Sequence, residues 1–214
     1  MDIRTKEAVR YLGYGNRAID EQTAEMIQDS FKELEDVSDV KFIYRIFEIS
    51  EMNSDELKIG TIKVQSKNLC KNLHGCHAAI VLCVTLGLGV DMLMKRSAVT
   101  NMAKTAVLQA CAATLLEEYC DNIQKDLANM LEHTEYLRPR FSPGYGDFSV
   151  TYQKELLRIM DATKRIGLGL TEGYMLTPTK SITALIGITR EKIECHTSGC
   201  EVCTKTDCTF RRGE

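Results

Sequence analysis

The sequence lacks several features that would place it in a specialised class. There is no basic excess: 27 Lys plus Arg stand against 30 Asp plus Glu, a formal charge of -3. Counterion-driven binding to phosphates needs a basic excess or a basic face, so a nucleic-acid-coating protein is excluded. There is no long apolar run. The longest, Ala78 to Val90, has 13 residues and includes Thr85 and two glycines, too short for a bilayer, which takes ~20. The N-terminal MDIRTKEAVRYLGYG has no apolar core of the kind a secretory signal needs, so a cytoplasmic location is expected and no membrane association. The three prolines all fall between positions 139 and 178, and no repeat, low-complexity tract or linker divides the chain. This reads as one domain, residues 1–190, followed by a tail, residues 191–214. Neither GxGxxG nor GxxxxGK[ST] follows an expected strand, which argues against a doubly wound nucleotide fold. The absence of triads and suitably spaced paired carboxylates argues against a stand-alone hydrolase.

What is present is an ordinary globular composition, 44% hydrophobic and 27% charged, enough for one sizeable core without disulfides. The pattern predicts a helix over Lys6 to Leu12 with Thr5 as N-cap and Gly13 as stop. A second helix spans Glu21 to Val37, capped by Asp20, with Ala24, Ile27, Phe31 and Leu34 on one face. Val40 to Ile49 reads as a strand and Leu57 to Val64 as a weaker one. Ser66 opens a short helix, and HAAIVLCVTLG reads as a central strand buried on both faces. After a helical stretch over Leu88 to Ser97, Thr100 is expected to cap the longest helix, reaching Met130. RPRFSPGYGDFS is irregular, Thr151 to Ile166 helical, and TEGYML and SITALIGI read as a hairpin about Thr177 to Lys180. The expected class is α+β, a mixed or antiparallel twisted sheet flanked by helices, with a cysteine-rich C-terminal tail.

Two segments carry candidate chemistry. The loop Arg140 to Asp147 combines a guanidinium, a hydroxyl, backbone amides and an aromatic ring in eight residues. Arginine can pair bidentately with a carboxylate, and glycines let a ligand approach the main chain, so the loop is suited to a zwitterionic amino-acid moiety. A surface connection anchored by Phe141 is the plainer alternative. The tail places Cys195, Cys200, Cys203 and Cys208 within 14 residues, a four-thiolate set that suits zinc or an iron–sulfur cluster equally in a reducing compartment. The other five cysteines sit in apolar segments and read as small hydrophobes.

The loop resembles a known family, the activation domain of cobalamin-dependent methionine synthase, in which an R-P-A-x-G-Y-P stretch forms the core of an S-adenosylmethionine site. Arg140-Phe141-Ser142-Pro143-Gly144-Tyr145-Gly146 stands in its place, and the resemblance therefore marks Arg140, Ser142, Gly144 and Tyr145 as cofactor-binding. Glu172, Pro178 and Ser181 fall where the family has L-T-E-S and P-x-x-S-V-S-G. Thr85-Leu86-Gly87 and Glu117-Glu118-Tyr119 resemble it more loosely. An aromatic pair on the family's last strand is replaced by Ile186-Gly187, and an early aspartate has no clear counterpart. The resemblance implies a free-standing module that binds S-adenosylmethionine. Such a module would reactivate a separate corrinoid-binding methionine synthase lacking its own activation domain, by reductive methylation of cob(II)alamin, the cobalamin being held by that partner. The alternatives are a non-catalytic module docking on a corrinoid protein, or an iron–sulfur electron-transfer protein built on the tail, which could also take electrons from a separate donor.

Overall fold

The computed structural model describes residues 2–14 and 17–191. The four tail cysteines lie outside them. In chain order the elements are α1 (Ile3–Tyr11), α2 (Glu21–Val37), β1 (Lys41–Met52), β2 (Glu56–Ile59), β3 (Ile62–Gln65), α3 (Lys67–Asn72), β4 (Cys76–Thr85), α4 (Leu88–Thr100) and α5 (Met102–Asn129). β5 (Tyr136–Leu137), α6 (Gln153–Met160), α7 (Ala162–Ile166), β6 (Gly169–Leu170), β7 (Leu176–Thr177) and β8 (Ser181–Thr189) follow. No described helix is long and apolar enough to cross a membrane. Contacts divide the described residues into two compact units, one from residues 2–39 and 86–121, the other from residues 40–85 and 122–191.

The first unit is helical. Asp20 caps α2 by accepting from Thr23 N at 2.7 Å, and Ile27, Ser30, Phe31 and Leu34 form its buried stripe, as a 3.6-residue period requires. α1 starts three residues earlier than the pattern predicts. Its cap is Asp2, whose carboxylate accepts from Thr5 N and from Thr5 Oγ1; Thr5 lies inside the first turn, because an aspartate at the position before the helix outcompetes a threonine already within it. The start of α5 is corrected likewise. Thr100 ends α4, and Asn101 Oδ1 accepts from Lys104 N at 3.0 Å. Along α5, Val107, Ala110 and Leu116 are buried and Ala113 is half-buried, whereas Ala103 and Ala106 are exposed.

The second unit carries the main sheet, ordered β3-β2-β1-β4-β8-β5 with every neighbouring pair antiparallel. β4 is central, as its unbroken apolar run predicts, with Ala79 to Val84 at most 1% exposed. Leu57 to Val64 forms a hairpin, β2 and β3 turning at Gly60, where one strand is expected. The helix expected over Thr151 to Ile166 is broken. A 3-10 turn at Val150–Tyr152 leads into α6, and Asp161, left-handed at φ 51°, separates α6 from α7. The expected hairpin at Thr177 to Lys180 also fails, since β7 pairs with β6 in a small second sheet and β8 pairs with β4 in the main one. One sheet face packs on α3, α6 and α7 through Leu69, Leu73, Ala79, Val81, Phe148, Leu157 and Leu185. Each fully buried large aliphatic side chain there contributes about 1.5–3 kcal/mol.

Candidate functional site

The loop at 140–147 grows out of the sheet edge. Arg138 N donates to Gly187 O at 2.8 Å, and Phe141 and Leu185 exchange both backbone hydrogen bonds, at 2.9 and 2.8 Å. The segment after β5 therefore follows β8 before leaving it at Ser142. Tyr145 N then donates to Ser142 O at 3.1 Å, closing a four-residue turn with Pro143 second and Gly144, at φ 99°, third. Proline fixes the second position and only glycine takes the positive φ of the third without strain, the pattern of a type II turn. Gly144 N donates to Phe148 O at 2.7 Å and Phe148 N to Tyr145 O at 3.0 Å, so the main chain is tied to itself around Tyr145.

The structure places Ser142, Gly144 and Tyr145 on this one turn. Ser142 is buried, and Tyr145 is 53% exposed. The Tyr145 ring meets Phe141 edge-on at 6.0 Å and 81°. Phe141 stacks on Phe148 at 6.3 Å, and Phe148 lies 5.5 Å from Tyr152, whose hydroxyl accepts from Gln65 N at 3.0 Å. Phe148 is buried, so an aromatic row runs from the core out to Tyr145. Arg140 is half-buried. Its Nη1 donates to Gln124 Oε1 at 3.0 Å, while Gln124 Nε2 donates to Arg138 O at 3.4 Å. This glutamine near the end of α5 orients the guanidinium.

Sequence reasoning assigns no role to Gln124 or to Asp147. Asp147 Oδ1 accepts from Ser66 Oγ and from Asn68 N at 3.1 Å, and Oδ2 accepts from Lys67 N at 2.8 Å. The Ser66 bond, followed by the two backbone bonds, holds this carboxyl below its ordinary value. The neighbouring Gly146 has φ 54°, and a Cβ there would lie 2.8 Å from the Asn68 amide; the loop and α3 approach as closely as glycine permits.

The other residues marked by the resemblance are spread out. Glu172 is exposed. Ser181 Oγ donates to Pro178 O at 2.6 Å and lies 2.8 Å from Thr85 Oγ1, which fixes the start of β8. Ile186-Gly187 has a packing reason: a Cβ on Gly187 would lie 2.5 Å from Cys76 Sγ and 2.8 Å from Leu73 Cδ2, so the space an aromatic ring would need is filled. Two cavities, of about 250 and 540 Å³, lie beside Asn53 and Met52, and none of Arg140, Ser142, Gly144 and Tyr145 lines either. Among the described residues no cluster of three His, Cys, Asp or Glu forms a metal site.

A solved structure, the MetH reactivation domain bound to AdoHcy, matches with a TM-score of 0.57 at 15% identity, covering 90% of this chain and 78% of that one. At that identity the likeness is one of fold, and it extends to the α+β class expected from the pattern. No curated protein matches. Residues 81–197 match the family described as vitamin B12 dependent methionine synthase, activation domain; the match covers more than half of the 214 residues and takes in the second half of β4, the whole loop and β8, and the chain belongs to that family.

Proposed function

We propose that the chain binds S-adenosylmethionine at the 140–147 loop and serves to reactivate a separate cobalamin-dependent methionine synthase by reductive methylation. The observation that carries this reading is the loop itself, Arg140 to Tyr145, a closed turn fastened to β8 within the family match. The related fold that binds AdoHcy, the demethylated product of the same cofactor, supports it.

In this reading the Arg140 guanidinium, oriented by Gln124, pairs with the methionyl carboxylate. The Tyr145 ring, more than half exposed, covers the ligand. The amides of Gly144 and Tyr145 and the carbonyl of Ser142 are engaged inside the loop, and Ser142 is buried, so Ser142 and Gly144 shape the turn that presents Tyr145. An external donor supplies one electron to the partner's cob(II)alamin. The reduced cobalt then takes the sulfonium methyl as its carbon–sulfur bond breaks and S-adenosylhomocysteine leaves. Cobalt is the nucleophile, so this chain supplies no general base; its contribution is proximity and orientation.

Titration calorimetry of S-adenosylmethionine into wild type and Arg140→Ala tests the assignment. The expected loss is at least tenfold in affinity, about 1.4 kcal/mol, and equal affinities would sink it. The tail is read as a second site. Cys195, Cys200, Cys203 and Cys208 form a four-thiolate set for zinc or an iron–sulfur cluster, and only the cluster could relay an electron to the corrinoid. A visible spectrum with iron and zinc analysis, after anaerobic purification, separates the two.

A further inference from the structure

We propose that Asp147 is a positioning residue of this loop: its carboxylate fastens the far end of the loop to the start of α3 and so sets where Tyr145 and Arg140 stand. The inference rests on the reading of the loop as the ligand site. Three bonds carry it, from Ser66 Oγ, Lys67 N and Asn68 N, joining residues 79 to 81 apart in sequence. They engage both carboxylate oxygens, and two of the donors are backbone groups that the first turn of α3 leaves without intrahelical partners. Ser66 Oγ meanwhile accepts from Leu69 N at 3.0 Å, so Asp147 completes a cap that Ser66 begins. Gly146, packed on Asn68, gives the same junction a steric stop.

The loop thus has two anchors. Phe141 fixes its beginning on β8, and Asp147 fixes its end on α3. Between them lies Tyr145, exposed and resting edge-on against Phe141. With the carboxylate removed, the turn keeps its own backbone bonds and the buried Phe148 but loses its tie to α3, and the ring is held less firmly relative to Arg140. A residue that merely caps α3 would alter stability and leave ligand affinity in the folded protein unchanged. A positioning residue alters affinity while the fold persists.

The test compares wild type, Asp147→Ala, Ser66→Ala and the double variant, all well below their melting temperatures with folding checked by circular dichroism. Calorimetry with S-adenosylmethionine is paired with hydrogen exchange of the ligand-free protein over residues 140–152. Expected are at least tenfold weaker binding in Asp147→Ala, faster exchange of the Gly144, Tyr145 and Phe148 amides, and a double variant no weaker than Asp147→Ala alone. Wild-type affinity with a lowered melting temperature in Asp147→Ala would reduce the residue to a helix cap and overturn the proposal. A wild type that does not bind overturns the site reading instead; exchange then decides the anchor by itself, faster exchange supporting it and unchanged exchange overturning it.

Discussion

Asp2, Asp20 and Asp147 are single carboxylates that accept hydrogen bonds in the folded chain. Each is held below its ordinary 3.8, Asp2 by the Thr5 hydroxyl, Asp20 by the Thr23 backbone and Asp147 by Ser66. The folded chain therefore binds fewer protons than the unfolded chain in this range. The stabilisation is complete above the ordinary value and is lost as pH falls through the lowered ones. The urea midpoint should fall between pH 5 and pH 3, and less steeply in Asp147→Asn; equal slopes would show that this carboxylate is not linked to folding. The same scale explains which parts of the candidate loop were legible. Ser142-Pro143-Gly144-Tyr145 is a local turn, and its chemistry is written in adjacent residues. Gln124 and Ser66 lie 16 and 81 residues from their partners, and no spacing rule connects them. Cys83 and Cys111, read as hydrophobes from their apolar neighbours, fit that reading, since burial pushes both thiols up to about 12.

Among the elements, periodic and capped segments were legible and interrupted ones were not. α2 and β4 stand where the pattern places them, because each has one strong period and clear punctuation. The hairpin of β2 and β3 was concealed because its turn at Gly60 and Thr61 is so short that it only shifts the alternation by one position, from Leu57 and Ile59 to Ile62 and Val64, and the break between α6 and α7 because Asp161 adopts a left-handed conformation that composition does not announce. β8 shows what packing adds. Its Gly187 stands beside Ala79 of β4, with Cys76, Leu73 and Arg138 filling the side-chain space. Gly187→Ala should destabilise by about 1–3 kcal/mol through overpacking, and adding Cys76→Ala should restore part of the loss. Chemical denaturation of the two variants measures this, and a neutral Gly187→Ala would show that the neighbours yield.

At the scale of the molecule, the family match covers the end of β4, the loop and the later strands of the second unit together with α4 and α5, and leaves out β1, β2 and β3. The α+β class was legible because its antiparallel sheet announces itself through one buried strand and its amphipathic neighbours. The division into two compact units was not, since each is assembled from segments far apart in the chain. The bridge between Phe141 and Leu185 has a thermodynamic consequence. Leu185 also pairs with Val81 of the central strand, so whatever settles on the loop is linked through a single ladder to the melting of the sheet. S-adenosylmethionine at a hundred times its Kd should stabilise the native state by about 2.7 kcal/mol, and differential scanning calorimetry should register this as a later melting of the whole second unit. A ligand-independent melting temperature would show that the loop opens before the sheet. In the proposed reading the ladder makes occupancy and cohesion one quantity, so a chain short of ligand would also be the one most readily unfolded and cleared.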